Sequence, residues 1–402
     1  MKHTGFITPA VWLIVPMIRK FFCASVQSEA LDELGVDPQR SATWWQVNEE
    51  QYLRRRPLFK KNLYTVAAVA GALAVNLAMT QSAVSDEIRW GTSRVGSTGH
   101  RAGVALTQIL SKAMPKHNFT VQATPGAILT VKGHATGQFE GYYGSDIGFY
   151  ELANDIERFK GFKSKIKNEV VQSFWAFTIE MGVGVHARDK DKIKKWSDLS
   201  GKRVFTGPRP WDTRAHLERA FKTLGIKHEY MEVSVKTAGS LLESGRFVGI
   251  GVYTNAEVTT APWITEASLQ TNWAALPLSA DERAKLKAAG FSVKDIPIKA
   301  FGKKESYAET ATLLPFHYGL HVGLQISEDD VYEMLKLIEK NKTELAQADK
   351  AFKQVADDML AMQVNGITSS IDFVRVHPGL AKYMKEKGAW KAKWDGRIAS
   401  KS

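Results

Sequence analysis

Ile88-Arg89-Trp90 running into Gly91-Thr92-Ser93-Arg94-Val95-Gly96-Ser97-Thr98-Gly99-His100 is the stretch that decides how this chain is read. A short apolar strand breaks here into a loop of small and hydroxylated residues. Behind the loop, Val104, Leu106, Ile109, Leu110 and Met114 fall at mixed three- and four-residue spacings, the stripe of an amphipathic helix. Ser93, Ser97 and Thr98 then stand at the positive end of that helix, among backbone N–H groups without intrahelical partners. Such a turn can seat a carboxylate or a phosphate. An ordinary strand-to-helix turn has the same composition, so the rest of the chain must choose between the two.

Strands and helices alternate from Asp86 onward. Periodicity predicts strands over 87–91, 120–124, 147–149, 174–179, 182–186, 203–206, 228–233, 248–253 and 318–322. It predicts helices over 99–114, 126–135, 211–224, 237–243, 280–289, 328–341, 344–362 and 378–387. This βαβ rhythm argues for α/β lobes with parallel-rich sheets. A turn–helix–glycine pattern occurs at Gly126–Gly137 and again at Ala238–Gly245. Each copy precedes a strand with polar residues at its end, Gly144-Ser145-Asp146 and Tyr253-Thr254-Asn255. Two lobes delivering such strand ends to one crevice would present them to a ligand.

Composition narrows the function. The 402 residues are 44% hydrophobic and 24% charged, ordinary for globular protein and enough for two lobes with separate cores. The net charge of +12 is spread among acids, as in Asp189-Lys190-Asp191-Lys192, with no basic stripe carrying interleaved aromatics, which argues against nucleic acid as a partner. The sole cysteine, Cys23, lies outside the main body, so no disulfide framework, thiolate metal cluster or cysteine nucleophile is expected there. That is compatible with export.

Lys60-Lys61, the apolar run Leu63–Met79 and the small-x-small pair Ala83 and Ser85 have the layout of a secretory signal peptide over 58–85. The mature, periplasmic chain then starts at about Asp86. A membrane anchor is the alternative, although the run is near the lower length limit for a span. Residues 1–57 are expected to be a non-native or disordered extension, with translation beginning within Leu53–Leu58 from a non-ATG codon.

Further blocks follow the opening one. They are Thr124-Pro125-Gly126-Ala127, Ala135-Thr136-Gly137, Tyr143-Gly144-Ser145-Asp146-Ile147, the Trp196-Ser197-Asp198-Leu199-Ser200-Gly201-Lys202-Arg203-Val204 segment and Val376-His377-Pro378-Gly379. In this order the set resembles the TAXI family of extracytoplasmic solute-binding proteins, the receptors of one class of TRAP transporters. The resemblance spans most of residues 86–395. It implies an α/β, two-lobed periplasmic binding protein fold of type II, with a ligand cleft between lobes joined by a hinge. Lobe I would comprise 86–178 and about 256–402, and lobe II about 179–255. It further implies a monomer that closes on a small organic carboxylate (a dicarboxylate, 2-oxo acid or acidic amino acid) and delivers it to TRAP membrane permease subunits. A membrane-tethered sensor or an ABC-type receptor of the same fold is the alternative. Thr206-Gly207-Pro208-Arg209-Pro210-Trp211-Asp212-Thr213 departs from the glycine-rich loop of the family pattern, so ligand identity is not carried across.

The candidate ligand-binding residues are Ser93, Ser97, Thr98 and Thr213 as hydroxyl donors, each of which could instead cap its own turn. Tyr143 and Ser145 stand at a strand end with Asp146, and Tyr253 and Asn255 offer a phenol and an amide at another. Trp211 stands beside prolines where a helix starts, Asp212 reads as that helix's N-cap, and Arg94 and Arg209 are the proposed charge partners of a carboxylate. Phe174, Trp175 and Phe177 read as core.

No catalytic residue, cofactor or metal is expected. The chain lacks a Gly-x-Ser-x-Gly elbow, a Walker loop and Rossmann glycine spacing. His317 and His321, four apart on a predicted strand, would stand about 13 Å apart, too far to share one ion.

Overall fold

The computed structural model describes residues 86–303 and 307–400, so the predicted signal peptide and the extension before it lie outside the described residues. The strands are β1 Asp86–Thr92, β2 His117–Ala123, β3 Gly141–Ser145, β4 Val171–Gln172, β5 Trp175–His186, β6 Val204–Phe205, β7 Gly249–Asn255, β8 Thr259–Thr260, β9 Trp273–Ala275, β10 Lys294–Pro297, β11 Thr310–Val322 and β12 Arg375–Val376. One ten-stranded sheet runs in the order β2-β1-β3-β11-β5-β7-β6, with β8, β9 and β10 paired alongside. The pairings of β1 with β2 and β3, and of β6 with β7, are parallel. Those among β3, β11, β5 and β7 are antiparallel. The fold is therefore mixed α/β, with parallel flanks around an antiparallel centre rather than parallel-rich throughout.

Every residue of β5 is buried. Its charged Glu180 made the sequence look like two strands, at 174–179 and 182–186, yet the chain continues as one because both faces are covered. The C-terminal strand is likewise longer than 318–322, beginning at Thr310.

Four helices position the site: α1 Thr98–Ala113, α2 Ala127–Ala135, α3 Asp146–Asn154 and α4 Asp212–Leu224. α3 corrects the predicted strand at 147–149. Ser145 ends β3 and its hydroxyl accepts from the Gly148 N–H at 3.0 Å, while Asp146 occupies the first turn. This is a helix start, and it outweighs the short apolar run that follows. The predicted strand at 228–233 is reduced to a single bridge, Arg203 to Glu229. The predicted helix 344–362 is broken twice, where Asp349 and Asp358 turn their carboxylates onto the Ala351 and Ala361 N–H groups, each at 2.9 Å. These side chains satisfy backbone donors that a continuous helix would use. Helix Pro262–Gln270, with proline in its first turn, was not foreseen. Among the described residues no helix is long and apolar enough to cross a membrane.

Phe174, Trp175 and Phe177 are core residues, as read from the sequence. Gln363, on helix Met359–Ser370, brackets the Trp175 backbone, accepting from its N–H at 2.8 Å and donating to its carbonyl at 2.7 Å. One turn on, Gly366 faces the Trp175 ring, and a Cβ there would stand 2.1 Å from it. Gly366→Ala should lower stability by about 1–3 kcal/mol through overpacking, despite the better helix propensity of alanine. The urea midpoint measures this, and an unchanged value would mean that the indole has room to move.

Candidate functional site

Three helix starts meet at one small cavity. α1 begins at Thr98, α2 at Ala127 and α4 at Asp212, and Thr98, Gly126, Ala127 and Thr213 all line it. Ser97 caps α1, its hydroxyl accepting from the His100 N–H at 3.3 Å and pairing with the Ser93 hydroxyl at 2.6 Å. The other two starts are less well closed. Gly126 has no side chain to cap with, and Trp211, the N-cap of α4, makes no side-chain capping bond. Three positive helix ends thus meet at one place.

Two hydroxyls sharpen the picture. Thr98 Oγ1 and Thr213 Oγ1 are buried and have no hydrogen-bond partner within the protein. An unmatched buried hydroxyl costs about 1–3 kcal/mol. Both of these residues line the cavity, each at a helix start. The cavity has a volume of about 40 Å³, room for about three water-sized spheres. That is too small for a nucleotide cofactor.

The walls are aromatic. Tyr143 stacks on Tyr318 with ring centroids 4.3 Å apart and planes 9° from parallel. Gly99 permits this packing, because a Cβ there would come within 2.4 Å of the Tyr143 ring. Burial drives the pKa of both phenols well above the ordinary tyrosine value. Tyr253 closes another side, its hydroxyl accepting from Trp263 Nε1 at 3.1 Å, and burial pushes its pKa up to about 12. The indole of Trp211 reaches across to donate to the Pro125 carbonyl at 3.3 Å, tying the start of α4 to the turn before α2.

Asp212 lines the cavity but is not the N-cap expected from sequence. It is the first helical residue, and its carboxylate faces inward. Ser145 donates to it at 2.5 Å and the Tyr318 hydroxyl at 2.7 Å, on Oδ2, and Arg158 Nη1 donates to Oδ1. Arg158 also grips Glu151 through Nε and Nη2, both at 2.8 Å, and the Pro210 carbonyl at 3.0 Å. Burial opposes the Arg158 charge, but Asp212 and Glu151 outweigh it and hold its pKa above the ordinary arginine value. Burial raises the Glu151 carboxyl against the pull of Arg158. Asp212 is thus the knot that ties α3, α4 and β11 behind the cavity.

Of the residues singled out in the sequence, Ser93, Ser97, Thr98, Tyr143, Trp211, Asp212, Thr213 and Tyr253 line the cavity together. Ser145 stands behind it, on Asp212. Asn255 lies on the same strand face as Tyr253, two residues on, and opposite the cavity-lining Ile179 in register. It is buried with both amide atoms unpartnered. The arginines are placed elsewhere. Arg94 is exposed with its guanidinium 5.6 Å over the Trp211 ring, and Arg209 is exposed 5.3 Å over Tyr230. Each is held on an aromatic face at the surface, so neither lines the cavity. Ile179, Tyr318 and Arg158 escaped the sequence reading, because each enters through a pairing distant in the chain. Among the described residues no group of three or more His, Cys, Asp or Glu side chains could hold a metal ion.

Comparison with known proteins gives one family and several distant structural likenesses. A family described as "NMT1-like family" matches residues 90–388. The periplasmic aliphatic sulphonate binding protein SsuA of Escherichia coli is similar at 14% identity, over 78% of this chain and 97% of its own, with a TM-score of 0.37. The probable amino-acid ABC transporter extracellular-binding protein ytmK of Bacillus subtilis is similar at 16% identity, over 68% and 99%, with a TM-score of 0.40. Likeness at that level assigns neither a ligand nor a transporter class.

Proposed function

Because the chain belongs to the NMT1-like family, we propose that it is an extracytoplasmic solute-binding receptor that captures a small carboxylate. The observation that carries this reading is the pair of buried, unpartnered hydroxyls, Thr98 and Thr213, set at converging helix starts around a cavity of about 40 Å³. Hydroxyls and N–H groups arranged in this way complement an acceptor-rich anion. The stacked Tyr143 and Tyr318 rings and Tyr253 supply a wall for its carbon skeleton. A dicarboxylate, a 2-oxo acid or an acidic amino acid fits that chemistry.

In this reading 86–178 with 256–402 forms lobe I and 179–255 forms lobe II. Thr98 and Gly126 face Thr213 and Trp211 from opposite lobes, and the two crossings between lobes, within β5 and just after β7, carry the hinge on which they close. The blocks between Arg89 and Gly379 support a TRAP permease as the membrane partner and the periplasm as the place of work. A neighbouring gene for a four-plus-twelve-helix membrane protein would support that partner, whereas a neighbouring ATPase gene would make the receptor ABC-type.

Thermal-shift screening of the purified protein against dicarboxylates, 2-oxo acids and acidic amino acids tests the ligand class, and no stabilisation by any carboxylate would overturn it. Thr98→Val with Thr213→Val tests the seat. Each lost hydroxyl should weaken the ligand found by about 10- to 100-fold. The melting temperature without ligand should rise slightly, since two unmatched hydroxyls are gone. Unchanged affinity would remove both residues from the site.

A further inference from the structure

A second cavity, of about 440 Å³, opens behind the sheet between α3, α4 and the Pro315–His317 part of β11. His216, Arg219 and Thr223 of α4 line it, falling at the three- and four-residue spacings of one helix face. Six residues, about 9 Å along the helix, separate Arg219 from Thr213 of the first cavity.

Arg219 is the unusual group. Its guanidinium lies 4.5 Å from the Phe291 ring centroid and 5.7 Å from that of Tyr150. Its Nε is buried without a hydrogen-bond partner, and burial lowers its pKa from the ordinary arginine value. Asp146, the acid that pulls on it most, lines the same cavity; its Oδ2 accepts from the His317 backbone N–H at 2.9 Å and pairs with the ring Nδ1 at 3.1 Å, while its Oδ1 is buried without a partner. A second group shares the difficulty. His216 is buried between Phe291 and Phe316, at 5.1 and 4.9 Å, with neither ring nitrogen in a well-formed hydrogen bond. Burial depresses its pKa, aided by the neighbouring Arg219 charge, so the ring is neutral.

A partly buried guanidinium with an unmatched N–H, paired with no carboxylate at close range among the described residues, is costly. The aromatic rings cover faces of the guanidinium, and its edge is where a carboxylate binds through two parallel hydrogen bonds. Pro315, Phe316 and Phe373 give one apolar side to a cavity that Asp146, Ser292 and Ser369 also line, and its volume falls in the range of small-molecule sites. We propose that this cavity is a second ligand site, distinct from the first, that takes a small amphipathic monocarboxylate through Arg219, with its apolar body against Phe291 and Phe316.

Calorimetric titration of the full chain with benzoate at millimolar concentration tests the proposal. Binding should be weakened about 10- to 100-fold by Arg219→Gln, less by Arg219→Lys, and left intact by Thr98→Val with Thr213→Val. Arg219→Lys keeps the charge and loses the fork, so it carries the test if the glutamine variant does not fold. Failure of the wild type to bind benzoate would overturn the proposal. So would binding indifferent to both Arg219 variants. Binding abolished by the threonine variants would place benzoate in the first cavity and overturn the second site, without touching the reading of the first.

Discussion

Replacing Arg158 with methionine should cost about 3–5 kcal/mol of folding stability, the largest effect expected of any single change near the site. Arg158 stands between two carboxylates with little access to water, the side chains of Asp212 and Glu151 being 1% and 6% exposed. The guanidinium serves both at once, and among the described residues no other cation forms an ion pair with either. Methionine keeps the hydrophobic bulk and removes the charge, leaving two buried anions facing one another. Each would then be driven to take up a proton, so the loss should be greatest near neutral pH and shrink in acid. Asp212→Asn combined with Arg158→Met removes one of the stranded charges and should recover part of the loss, as coupled sites do. Urea unfolding of the variants at pH 7 reads both effects. A loss below about 1 kcal/mol would mean that water reaches the carboxylates and that the pair behaves as a surface bridge.

Glu180→Gln should remove a contribution to stability that declines as pH rises from about 4.5 to about 8, and that the wild type shows as a net fall above about pH 6.5. Glu180 is wholly buried in the middle of β5. The hydroxyls of Thr178 and Thr254 donate to it, the latter at 2.5 Å, as does the Glu257 N–H at 3.1 Å. Those donors favour the anion, but burial dominates and pushes the carboxyl up to about 8 from an ordinary 4.5. Between these values the unfolded chain releases a proton that the folded chain keeps, so stability declines through the window and levels off above it. The full decline is on the order of 5 kcal/mol.

The acid side has a separate cause. Burial depresses His321 to about 3 and His377 to about 4. These rings stay neutral in the fold while the unfolded chain gains protons below about pH 6.5, and stability is lost from there downward. The glutamine variant should therefore keep the acid loss and lose the alkaline decline. Urea midpoints at intervals from pH 4 to 9 separate the two, and parallel curves for variant and wild type would show that Glu180 ionises freely.

The parts of the fold legible in the sequence are those set by neighbours along the chain. The α1 start needed only Ser97, the glycines around it and the apolar stripe behind it, and the structure has it within a residue of the expected place. The same local reading failed where distant partners decide. Asp212 has the look of a cap, yet Ser145, Arg158 and Tyr318, which stand 54 to 106 residues away in sequence, turn its carboxylate inward. Arg94 and Arg209 were natural partners for an anion by charge alone. Their capture by Trp211 and Tyr230 depends on tertiary placement that no spacing discloses. The strand expected at 147–149 was an error of a different kind, since Ser145-Asp146 carried the helix signal and three apolar residues obscured it.

With Arg94 and Arg209 outside, the first cavity is lined by hydroxyls, aromatic rings, small residues and Asp212, which is paired with Arg158, with no lysine or arginine among its lining residues. Grip on an anion would come from hydrogen bonds rather than from a full opposite charge, and once the lobes of the proposed receptor have closed over it dissolved ions would screen those bonds little. In the proposed receptor, retention of the solute would then be nearly indifferent to the salinity of the surroundings. A compartment that exchanges ions freely with the outside medium, and cannot hold its ionic strength steady, is where that property matters most.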